Sequence, residues 1–135
     1  MPNVRASIGI GLSLVLTLSL LMWVSASPAQ ADTVTDCCQA KIDVLREQTE
    51  NATFIGQNAE KNRTGLLTKL DNASAKLAEG KNADAIQKLT DFKTTVNSLA
   101  GGGKIAPGDA QTLVSGADDA MTCITALQTQ TPIAA

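Results

Sequence analysis

Four stretches of this sequence carry apolar residues at alternating spacings of three and four, and none alternates apolar with polar residues under β-branched enrichment. Each such stripe makes an amphipathic helix, and amphipathic helices must bury their stripes against one another. Cys38, Ile42, Leu45, Thr49 and Ala52 form the first stripe. It predicts a helix from about Asp36 to Ile55, with Asp36 and Gln39 as N-cap and reciprocal partner and Gly56 as a left-handed stop. Leu66, Leu70, Ala73 and Leu77 form the second stripe, with Leu67 beside it. That helix ends at Gly80 and begins at Asn58 or Thr64, both acceptable caps. Asn82 caps a third helix with Asp84 in its first turn, and Ala85, Leu89, Phe92, Val96 and Leu99 are its stripe. "GGGK", residues 101–104, is expected to be a flexible hinge. Pro107 suits the first turn of a fourth helix, whose apolar face is Ala110, Leu113, Ala117, Ala120, Ile124 and Leu127. Short connections favour antiparallel neighbours, so the expected fold is all-α, a small up-down four-helix bundle.

Residues 1–31 read as a signal peptide. Ile8 to Val24 is an unbroken run of apolar, Gly, Ser and Thr residues, and Ala29-Gln30-Ala31 supplies small residues at the positions a signal peptidase needs. Cleavage is expected after Ala31. A single helical domain over 32–128 and a flexible tail over 129–135 would follow. The mature chain would have 135 − 31 = 104 residues. Removing Arg5 from eleven basic residues leaves ten against thirteen acidic ones, a net charge of −3. Nucleic-acid binding wants clustered Lys or Arg and stacking aromatic faces, and the mature part has neither a basic cluster nor more than Phe54 and Phe92. A membrane-surface helix is excluded on the same grounds, so no membrane association is expected after signal removal. Export to the periplasm or beyond places the chain where disulfides persist.

The sequence has three cysteines, Cys37, Cys38 and Cys123, so one cannot pair within the molecule. Helix one begins and helix four ends near them, and in an up-down bundle those ends share a pole. A bridge from Cys37 or Cys38 to Cys123 is therefore expected. It would close a loop of about 85 residues, worth roughly 4 to 5 kcal/mol in the chain-entropy model. Cys38 lies on the inward stripe, and Cys37 lies about 100° to one side. One hand of the bundle favours Cys37 as the partner of Cys123 and the other favours Cys38. Cys38 is preferred because it is nearer the core, and Cys37 remains the alternative. The third thiol is available for a covalent homodimer.

No histidine occurs, which removes the commonest general base and the commonest metal ligand. No catalytic, cofactor-binding or metal-ligating residues are expected. Asp118 and Asp119 are adjacent, but on a helix they point about 100° apart and cannot share one substrate atom. Lys104 after the glycines lacks both the preceding strand and the following Ser or Thr of a phosphate loop.

Leu67 with Lys69-Leu70-Asp71, the turn at Gly80 and Asn82, the run Ala85, Leu89, Phe92 and Val96, and Gly103-Lys104-Ile105 leading to Ala110 and Leu113-Val114 resemble the FIMAH domain. This is a small helical module of secreted bacterial proteins. The resemblance covers about residues 66–124 and leaves the first helix as an addition. It implies export, an all-α fold and service as a non-catalytic appendage or interaction module. Together with the residue inventory it predicts no enzymatic activity and no cofactor. The expected role is to bind an as yet unidentified protein or cell-envelope component. Inhibition of a secreted enzyme is the alternative, and a thiol-redox protein is the least favoured one.

Overall fold

A computed structural model describes residues 29–130, with side chains described from residue 33 onward. It contains four helices: α1, Ala29–Asn51; α2, Ala59–Ala78; α3, Asn82–Gly101; and α4, Pro107–Gln130. A compact unit begins at Val34. The expected leader falls on residues mostly outside those described. The backbone of α1 is already helical at Ala29, so it runs across the expected cleavage point. Among the described residues, no helix is long and apolar enough to cross a membrane. At the other end α4 continues through Thr129 and Gln130, two residues expected to belong to the tail. Residues 131–135 lie outside those described.

The four helices form the up-down bundle that the stripes predict, and pairs of contacts fix the antiparallel α1–α2, α3–α4 and α1–α4 seams. Arg46 pairs with Asp71, and the Gln39 side-chain amide donates to Ser74 Oγ, so α1 and α2 run in opposite directions. Lys93 with Asp118, and the Thr90 hydroxyl with Met121 Sδ at 3.5 Å, do the same for α3 and α4. Cys38 bonds Cys123 near one end of the α1–α4 pair, while the Thr53 amide donates to Asp109 Oδ2 at 2.8 Å near the other. The core is drawn from the four stripes together with Ile105, while Leu99 and Leu127 at the stripe ends are only partly buried. Cys38, Ile42, Leu45, Leu66, Leu70, Leu77, Leu89, Phe92, Val96, Leu113 and Ile124 are all buried, interleaved with Ala73, Ala85, Ala117 and Ala120. Thr49 is also fully buried. Its hydroxyl donates to the Leu45 carbonyl at 2.7 Å, which satisfies the donor inside its own helix.

The connections differ from the sequence expectation in informative ways. Helix α1 ends at Asn51 rather than near Ile55. The segment after it turns extended because Phe54 forms an isolated antiparallel bridge with Ile105. The Ile55 amide donates to Lys104 O at 2.8 Å, and the Ala106 amide donates to Thr53 O at 3.0 Å. This long-range pairing outcompetes a last helical turn. Asp36 does not cap α1, which has already run past it from Ala29. Asn58 occupies the cap position of α2 without a side-chain cap bond, and Asn82 is the first residue of α3 rather than its cap.

"GGGK" is a closed turn rather than a hinge. Gly103, at φ +63°, lets the Gly103 amide reach Ala100 O and the Lys104 amide reach Leu99 O. Gly80, at φ +74°, makes the same pair of bonds, Gly80 to Leu77 O and Lys81 to Lys76 O. Both are Schellman closures, which need a residue that enters the left-handed region without steric cost.

Candidate functional site

The rotation of α1 decides which cysteine is structural. The stripe through Ile42 and Leu45 turns Cys38 inward, where it is fully buried and bonds Cys123 with a Cα–Cα separation of 5.5 Å. Cys37 is turned away by about 100° and remains a free, exposed thiol. It does not sit alone. It lines the cleft between α1 and α4 with Ala40, Lys41, Val44, Gln48, Gly116 and Asp119, around an open cavity of about 310 Å³.

Two further cavities continue this cleft along the same seam. One of about 270 Å³ lies among Val44, Glu47, Asn51, Asp109, Thr112 and Leu113, and one of about 320 Å³ lies among Gly108, Gln111, Thr112, Ser115 and Gly116. Gln48 lines all three. The α1 wall is therefore Cys37, Lys41, Val44, Gln48 and Asn51, at spacings of four and three. The α4 wall is Asp109, Thr112, Gly116 and Asp119. Gly116 lies where the helices come closest. A Cβ there would stand 2.9 Å from Gln48 Oε1 and 3.0 Å from Leu45 Cδ1. Val44 is 54 % exposed, and with Ile55 it is one of two large apolar side chains left in the open among the described residues.

Several of the other charged groups are paired. Asp118 bonds Lys93 on the α3 side while Asp119 faces the cleft, so the adjacent carboxylates point to different seams. Arg63 bonds Glu60 at 2.7 Å and lies 5.3 Å over the Phe54 ring, covering the loop pole. At the α2–α3 turn, Glu79 lies 2.8 Å from Lys81 and 3.4 Å from Lys76. The hydrogen bond from Lys81, then that from Lys76, holds the Glu79 carboxyl below the usual range. The same bond to Glu79 raises Lys81. Among the described residues, no three His, Cys, Asp or Glu side chains cluster as metal ligands would.

Sequence reasoning named the cysteines but missed the cleft. The signals were present. A glycine in the middle of a helix weakens it unless a close approach requires it, which describes Gly116. Val44 lies off the stripe and so had to face outward. Nothing in the local sequence foretold that Ile105 would be buried beside Phe54.

The family model of the FIMAH domain matches residues 43–122. The match reaches back into α1 as far as Asp43, so the last turns of the first helix fall inside the family pattern while its earlier part, Cys37 and Cys38 included, lies outside it. No curated protein and no solved structure matches the chain.

Proposed function

The chain belongs to the FIMAH domain family, and from that premise we propose that it is a non-enzymatic exported helical module that binds a protein or cell-envelope component. The match carries the reading, because the matched residues span α2, α3 and parts of α1 and α4. A bundle closed around an alanine-rich core offers a partner its helix faces. The absence of histidine from the chain supports the same reading, since it removes the commonest acid–base group. Export is supported by the leader-like residues 1–31 and by a disulfide that an oxidising compartment sustains.

The test is affinity capture with the folded, disulfide-bonded protein immobilised through its C-terminus, from the envelope fraction of the producing organism. A saturable partner competed away by free protein is the expected result. Recovery of nothing that free protein can displace, from envelope and secreted fractions alike, would overturn the reading. Loss of a co-secreted hydrolase's activity on titration would replace it with the inhibitor reading.

A further inference from the structure

Resting on that binding reading, we propose that the α1–α4 cleft is the docking surface and that its occupant is a cationic amphipathic helix of a partner protein. Four observations converge on the cleft. First, its apolar strip is uncovered: Val44 is 54 % exposed beside Ala40, with Leu45 and Leu113 beneath. Second, Gly116 leaves the floor without a side chain at the midpoint, where a Cβ would meet Gln48 and Leu45. Third, Gln48 Oε1 is buried and has no hydrogen-bond partner among the described residues, so the cleft holds an unused acceptor. Fourth, the rim is acidic. Glu47, Asp109 and Asp119 stand against Lys41 alone.

The charge chooses the occupant. Asp71, Glu60, Glu79 and Asp118 are each bound to a cation elsewhere on the bundle. Asp43, Glu50, Asp84 and Asp91 are unpaired too, but Glu47 and Asp119, also in no ion pair among the described residues, share the cleft lining with Asp109 and with Lys41 as its one cation, so the cleft keeps a negative field for an incoming cation. A second copy is disfavoured because the chain is itself net negative, at −2. The shape chooses a helix. The walls repeat at spacings of three and four, and residues 37 to 51 span roughly 21 Å at the helical rise, room for about four turns of a third helix. Apolar anchors at helical spacing would cover Val44 and Ala40, while Lys or Arg on the flanks would meet Glu47 and Asp119.

Two synthetic helical probes test this on the folded, disulfide-bonded protein. Both are 18-residue amphipathic helices with leucine on one face, and the other face is lysine in one and glutamate in the other. The lysine probe should bind at least about tenfold tighter than the glutamate probe, weaken with salt, and slow alkylation of Cys37. Val44→Asn and the pair Glu47→Lys with Asp119→Lys should each weaken it by about tenfold or more, a difference near 1.4 kcal/mol per decade. Ile55→Asn and Asp84→Lys, exposed changes outside the cleft, should leave it unchanged. All variants alter exposed positions, and far-UV circular dichroism confirms that each is folded. Equal binding of the two probes, no binding of the lysine probe, or cleft variants that bind like the parent would overturn the proposal. Envelope capture separates this from the broader reading. A partner recovered equally by the parent and the cleft variants leaves the binding module standing and removes the cleft.

Discussion

A turn of about 100° on one helix separates a structural thiol from an exposed one. Cys38 and Cys37 are neighbours in sequence, yet only Cys38 is buried and bonded to Cys123. Cys37→Ser should therefore change stability by less than about 0.5 kcal/mol, as surface substitutions usually do. Cys38→Ser should cost about 2 to 5 kcal/mol, because it opens the staple. Urea denaturation of the two variants checks both. Thr49 makes a subtler case. Its hydroxyl bonds the Leu45 carbonyl, a group that the helix ladder already satisfies. Thr49→Val keeps the shape and leaves no orphan, so it should be neutral or slightly stabilising. A loss above about 1 kcal/mol in the same assay would mean that the hydroxyl has a further partner. Individual burial was legible at this scale. Every stripe residue from Cys38 to Ala52, including Thr49, is buried as its spacing predicts. Ile105 was not legible, because its burial depends on Phe54 from a distant loop.

Element boundaries were less legible than element identity. The spacing pattern placed four helices, but it could not foresee that residues 53–55 would pair with 104–106 and shorten the end of α1. The turns were half visible. Gly80 was recognisable as a stop, whereas Gly103 was hidden in a triplet that looked like a hinge. Both have open space where a Cβ would go, so replacement by alanine incurs only the left-handed backbone penalty. Gly80→Ala and Gly103→Ala should each cost about 1 kcal/mol or slightly more by thermal denaturation. Gly102→Ala, where φ is negative, should cost clearly less.

The Glu79 cluster at the α2–α3 turn gives a pH signature. The lowered Glu79 pKa contributes stability that is present above the ordinary carboxylate range and is lost as pH falls through the lowered value. The raised Lys81 pKa contributes stability below the ordinary lysine range and is lost as pH rises through the raised value. The difference in stability between the parent and Glu79→Gln should thus be flat through neutral pH and shrink at both extremes. It should also be small, because Glu79 and Lys81 are exposed and Lys76 is only half-buried, so solvent screens the cluster. Chemical denaturation across pH measures it.

At the scale of the whole molecule, the α1–α4 seam closes the bundle and holds the proposed docking cleft. Closure there rests on the Cys38–Cys123 bond, the Thr53–Asp109 hydrogen bond and the close approach at Gly116. Gly116→Val would drive branched atoms into Leu45 and Gln48. It should destabilise by about 1 to 3 kcal/mol and alter the cleft, seen as a changed Cys37 alkylation rate. The order of the helices and their antiparallel closure were legible, because stripes, short connections and the positions of the cysteines at opposite chain ends agreed. The hand of the bundle was not, so the sequence alone left Cys37 and Cys38 as competing partners of Cys123. The stripe already put Cys38 nearer the core, but whether Cys123 meets it there depends on how α1 and α4 pack.

Alkylation of the folded, oxidised protein without reductant, followed by intact mass and peptide mapping, tests this closure most directly. One alkyl group on Cys37 and a linked peptide pair containing Cys38 and Cys123 are the expected result. Three alkylated thiols, or a linked pair containing Cys37 and Cys123 with Cys38 alkylated, would contradict the closed bundle described above.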